Sequence, residues 1–80
     1  MFLLMDKDFI EKYIYDNLES VDECIIDGEG CNFEISIISN QFLDMTMLQR
    51  HKLVMAIFEP FLRSGELHAL SLRLKTNQEI

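Results

Sequence analysis

Eighty residues, 49% of them hydrophobic and 26% charged, are enough for one folded domain over residues 1–80 with a single thin core, and too ordered in composition for a disordered chain. A formal net charge of −7 argues against general nucleic-acid binding, which relies on cations meeting phosphates. Two cysteines and one proline do not make a disulfide scaffold, and no apolar run approaches membrane-spanning length.

The chain opens on Met1-Phe2-Leu3-Leu4-Met5, which is apolar but short for a secretory segment and lacks a preceding cation. The expectation is a soluble, cytoplasmic protein with reduced thiols. Between Asp6 and Glu19, apolar residues fall at Phe9, Ile10, Tyr13, Ile14 and Leu18, which is helical spacing. Asp6 and Asp8 suit the positive end of that helix.

Glu23–Asp27 reads as a short strand around Cys24, Ile25 and Ile26. Gly28-Glu29-Gly30 reads as a turn, because two of its residues tolerate positive φ. Asn32–Ser39 is the clearest strand, with Phe33, Ile35 and Ile37 alternating with Glu34, Ser36 and Ile38. The two strands make an antiparallel hairpin.

Thr46-Met47-Leu48-Gln49 fits a capping box, and the helix behind it buries Leu53, Val54, Ile57 and Phe58. Pro60 lacks the N–H needed to continue a helix, so a kink or a new start is expected near Glu59. Phe61 and Leu62 then belong to a second short helix, with Gly65 as its cap. Met45, Met47 and Met55 read as gap-filling core residues.

Glu66–Leu74 alternates as a strand, placing His68, Leu70, Leu72 and Leu74 on one face and Leu67, Ala69, Ser71 and Arg73 on the other. Thr76–Ile80 reads as a polar tail. The order is α-β-β-α-α-β, an α+β domain. Its last, helix-containing connection is expected to be a right-handed crossover, putting the third strand parallel to one of the first two. The expected result is a three-stranded mixed sheet with helices on one face.

Charge is unevenly spread along this order. Residues 1–44 carry eleven acids against Lys7 and Lys12, whereas residues 45–80 carry five cations against three acids. A locally basic face is therefore compatible with the acidic total.

At this point the chain resembles the BolA family. The resemblance is carried by Gly30-Cys31-Asn32-Phe33 leading into a strand that ends at Ser39, by Phe42, by Leu48-Gln49-Arg50-His51-Lys52-Leu53-Val54, and by Leu67-His68-Ala69-Leu70 and Thr76. Two positions depart from it: Asp44 stands where the family commonly has glycine, and Asn77 where it often has proline. The resemblance implies a class II KH-like fold, no enzymatic activity, and partnership with a monothiol glutaredoxin around a shared 2Fe-2S cluster.

Carried over residue by residue, the resemblance gives Cys31 and His68 as ligands. The glutaredoxin cysteine and glutathione supply the other two, and none of the cluster is expected on the isolated chain. Thiolate is a soft iron ligand and imidazole an accepted replacement. Without the resemblance, Cys31 reads as an ordinary loop thiol and His68 as a core-edge histidine; neither reading of His68 leaves it fully exposed. Arg50, His51, Lys52 and Arg63 are read as a partner-contacting surface, although His51 alone also fits an ordinary helix position. Cys24 reads as a small buried hydrophobe.

No catalytic constellation is present. The rival reading is a transcriptional regulator, since a helix–Pro–helix unit is similar to a helix-turn-helix and the family has been linked to DNA. The classical KH loop would be G-x-x-G between two helices, and here Phe58-Glu59-Pro60-Phe61 stands there. Alone, the chain is expected to be a monomer or a weak homodimer.

Overall fold

The computed structural model describes residues 6–29 and 32–79. Helix α1 spans Lys7–Asn17, strand β1 Glu23–Glu29, strand β2 Asn32–Ile38, helix α2 Met47–Ser64 and strand β3 Ala69–Lys75. Short 3₁₀ turns occupy Asn40–Phe42 and Asn77–Glu79.

The side chain of Asp6 caps α1 by accepting from the Phe9 N–H at 2.8 Å. The helix buries Ile10 and Ile14, the centre of the stripe seen in the sequence. It ends two residues earlier than its apolar spacing suggests, where Leu18 leaves helical geometry and donates its N–H to the Ile14 carbonyl at 3.0 Å.

The sheet runs β1-β2-β3. Strands β1 and β2 are antiparallel, with Cys24 opposite Ile37 and Ile26 opposite Ile35. Strands β2 and β3 are parallel, with Phe33, Ile35 and Ile37 opposite Leu70, Leu72 and Leu74. These rows share one face, and with Ile10, Ile14, Val54 and Phe58 they form the core. Helix α1 packs over β1 and α2 over β3, so the helices cover one face, and among the described residues the other is left open. The mixed three-stranded α+β architecture is as the chain order implies.

Four local expectations change. First, Gly28 and Glu29 are the end of β1, not a turn. Gly28 pairs with Phe33 at φ 108°, and a Cβ there would collide with the Asn32 carbonyl oxygen. The glycine is therefore needed inside the strand, and Gly30 lies outside the described residues.

Second, the two helical segments flanking Pro60 are one continuous helix. A proline in a helix interior costs about 3 kcal/mol. Packing on both sides of it offsets that cost. Phe58 is fully buried before it, and Phe61 after it meets Tyr13 edge-on at 5.1 Å and Phe9 at 5.8 Å. The capping box at Thr46 forms in both directions, at 2.8 and 3.1 Å, and Gly65 at φ 87° closes the other end.

Third, β3 starts at Ala69 rather than Glu66. Leu67 is 1% exposed and donates its N–H to the Phe61 carbonyl at 3.1 Å. That anchor breaks the alternation just before the strand. Fourth, the expected polar tail is structured: Thr76 is buried, and the 3₁₀ turn after it delivers Glu79 to the interior edge.

Candidate functional site

His68 lies between the buried Leu67 and the first residue of β3, and it is exposed. This corrects the placement of its side chain on the leucine face. The strand pleat that would have turned it inward begins one residue later, and Leu67 takes the inward position instead. In the parallel ladder Ala69 pairs with Asn32. The residue before Ala69 is His68 and the residue before Asn32 is Cys31. Cys31 itself lies outside the described residues. Among the described residues no three His, Cys, Asp or Glu side chains converge to hold a metal ion.

Cys24 sits on the helix-covered face, half-buried against the core. Burial, reinforced by the charge of Glu11, pushes its thiol up to about 11. It stays protonated at neutral pH, and a protonated thiol is a poor nucleophile and metal ligand.

The four residues assigned to a contact surface separate into two groups. His51, Lys52 and Arg63 are exposed on α2, and Arg63 pairs with Glu59 one turn earlier. Arg50 is corrected from surface to interior: it is only 5% exposed. Its Nη1 and Nη2 donate to the two carboxylate oxygens of Glu79 at 2.6 and 3.0 Å. Its Nε donates to the Met45 carbonyl at 3.1 Å, and Nη1 also donates to the Leu74 carbonyl at 3.2 Å. The guanidinium lies 5.9 Å from the centre of the Phe42 ring.

An arginine with every face engaged ties α2, the end of β3 and the C-terminal turn together, and is not free to meet a partner. Hydrogen bonds from Arg50 and from the Thr76 N–H hold the Glu79 carboxyl down at about 2. Sequence reasoning missed this lock. A signal existed in Thr76-Asn77-Gln78-Glu79, which has the spacing of a capping box, and the Glu79 carboxylate does reach back to the Thr76 N–H at 2.8 Å. Met47, read as core, is instead 61% exposed beside this lock, at the first turn of α2.

The fold and these placements can be set beside known proteins. The family model for BolA-like protein matches residues 14–79, from the middle of α1 to Glu79. The chain belongs to the BolA family. A BolA-like protein of Dictyostelium discoideum is 33% identical over 64 residues, covering 75% of this chain and 56% of that relative. The chain thus spans little more than half of that relative's length. BolA1 from Arabidopsis thaliana has a structure similar to this one at a TM-score of 0.80, with 29% identity over 91% of this chain and 93% of that one. The BolA domain of SufE1 from the same plant gives 0.79 and 26%, over 89% and 91%.

Family membership also explains a departure. Asp44, where BolA proteins commonly have glycine, adopts φ 64°. The position demands left-handed backbone, which glycine meets freely and aspartate tolerates better than most residues. Among the described residues no helix is long and apolar enough to cross a membrane.

Proposed function

We propose that this BolA protein is an iron–sulfur adaptor that binds a monothiol glutaredoxin and contributes His68 and Cys31 to a shared 2Fe-2S cluster. The observation that carries the reading is the register of the parallel ladder. Asn32 pairs with Ala69, so the residues immediately before them, Cys31 and His68, precede neighbouring positions at one end of the sheet. The imidazole is more exposed than either reading of it implies; that exposure disagrees with a core-edge histidine and leaves the ring open to another molecule. Two ligands leave a 2Fe-2S cluster two short, so the partner must bring the rest: the glutaredoxin cysteine and a glutathione thiol. A Cys–His pair on one iron raises the cluster's potential relative to all-thiolate ligation and makes binding sensitive to protons, which suits transfer or sensing.

The regulator reading has less support than the sequence lends it. It drew on a helix–Pro–helix unit, and α2 runs unbroken through Pro60. One of its cations, Arg50, is neutralised internally by Glu79.

The test is anaerobic co-purification with a monothiol glutaredoxin and glutathione, read by visible absorption and circular dichroism for wild type, Cys31→Ala and His68→Ala. The expected result is a coloured heterodimer whose spectrum changes in each variant. A colourless chain that ignores the glutaredoxin, together with salt-dependent DNA retardation in a gel-shift titration, would move the assignment to the regulator.

A further inference from the structure

Among the described residues the sheet has two open edges, and they differ in charge. Strand β1 carries Glu23 and Asp27, and strand β3 carries Arg73 and Lys75. The pattern of bonds shows which backbone groups of β3 face outward. The Lys75 carbonyl accepts from the Ser39 N–H at 2.9 Å, so Lys75 and every second residue before it bond toward β2. Leu70, Leu72 and Leu74 therefore present their N–H and C=O groups to the outer edge. The Leu74 carbonyl is taken by Arg50. Among the described residues nothing donates to or accepts from the outward groups of Leu70 and Leu72.

Beside this edge, at the first turn of α2, lies a cleft of about 290 Å³ lined by Met47, Arg50, Leu72, Arg73, Leu74, Lys75 and Glu79. Its apolar lining is Leu72, Leu74 and the exposed Met47. Arg73 and Lys75, which alternate with these leucines along the strand, also border the cleft; Arg73 reaches Glu34 at 3.1 Å while Lys75 makes no ion pair with any described residue.

We propose that the outer edge of β3 accepts an extended acidic segment of a partner protein as a fourth strand. Two residues' worth of unpaired backbone groups supply the main-chain bonds. Alternate side chains of the added strand fall into the cleft, and those between them meet Arg73 and Lys75. The locally basic edge on a chain of net charge −7 selects an acidic segment. The acidic edge of β1 repels one.

A second copy of the chain is the wrong occupant for two reasons. Its β3 would bring a second basic edge. Its α2, packed over β3 as here, would also lie roughly one strand spacing away, about 5 Å, where packed helices need 8–10 Å. Arg50 on Leu74 stops the pairing at that end, so the added strand is short and its affinity modest. This inference does not depend on the cluster reading, because it involves neither His68 nor Cys31.

The test uses the full chain and a capped seven-residue peptide in which glutamate alternates with valine, read by amide exchange and chemical-shift mapping. The expected result is slowed exchange confined to the Leu70 and Leu72 amides, with shifts at Arg73 and Lys75. The protection should weaken as salt rises, and it should be absent in Lys75→Glu. A peptide with lysine in place of glutamate, and one with proline at its centre, should give none. Equal protection by the acidic and basic peptides, protection at β1 instead, or protection that grows with protein concentration without peptide would each overturn the proposal.

Discussion

Asp44 shows how much one side chain has to tolerate. Its backbone is left-handed at φ 64°, between the turn that buries Phe42 and the capped start of α2. A β-branched residue cannot take that conformation without a penalty of roughly 1–2 kcal/mol. Asp44→Val is expected to lower the unfolding free energy by that amount, and with it the urea midpoint, while Asp44→Gly is expected to be neutral or slightly stabilising. Urea unfolding of the two variants checks this. The need for positive φ was legible only as a departure from a family pattern, because nothing in Leu43-Asp44-Met45 announces a left-handed residue.

His68 was legible as a candidate and illegible in orientation. Alternation assigned it to the leucine face, and a long-range contact, Leu67 to Phe61, decided otherwise. Cys24 and Cys31 are chemically alike in sequence, yet burial beside Glu11 raises the Cys24 thiol to about 11. Cys24 is therefore expected to resist alkylation at neutral pH and to become reactive only as pH approaches that value. Mass spectrometry of the Cys31→Ala variant after timed alkylation reads this directly.

At the scale of elements, the sheet was readable because its strands alternate cleanly and share one buried face. Helix α2 was readable at its ends, where Thr46 with Gln49 and Gly65 set the boundaries. Its middle was not. Proline has a strong local preference against helix interiors, and aromatic packing from α1 overrides it: Phe9, Tyr13 and Phe61 form one cluster across the two helices. The Tyr13 hydroxyl adds a bond to the Ile57 carbonyl at 2.5 Å. Replacing Pro60 with alanine restores a helical donor at the cost of a floppier unfolded chain. The net effect expected is a gain of about 1–2 kcal/mol, measured by thermal and urea unfolding. A loss of stability would mean that α2 needs the proline's shape, which the continuous helix does not suggest.

For the molecule as a whole, Arg50 and Glu79 fasten the chain's last turn to its longest helix. The Glu79 carboxyl is held near 2, below its ordinary 4.5, so folding favours its charged form. Its contribution is complete above the ordinary value and disappears as pH falls from about 4.5 toward about 2. Glu79→Gln should flatten the stability profile across that acid window, and should lower stability at neutral pH. An unchanged acid limb in the variant would contradict the lock.

The same lock changes the electrostatic picture that composition suggests. Of the five cations in residues 45–80, Arg50 is buried and spent internally, so the exposed basic character comes from Lys52 and Arg63 on α2 and from Arg73 and Lys75 on β3, with Arg63 and Arg73 each paired to a carboxylate. Net charge described the total, and only the fold shows which cations remain available.

His68 is proposed to bind cluster iron in a complex with a glutaredoxin. The most direct measurement is pulsed electron paramagnetic resonance of the reduced complex, prepared with histidine labelled with nitrogen-15 in this chain alone. The expected result is a strong coupling from a single imidazole nitrogen that follows the label and vanishes in His68→Ala while His51→Ala retains it. A reduced cluster that shows no histidine nitrogen coupling, or one that survives in His68→Ala, would contradict it.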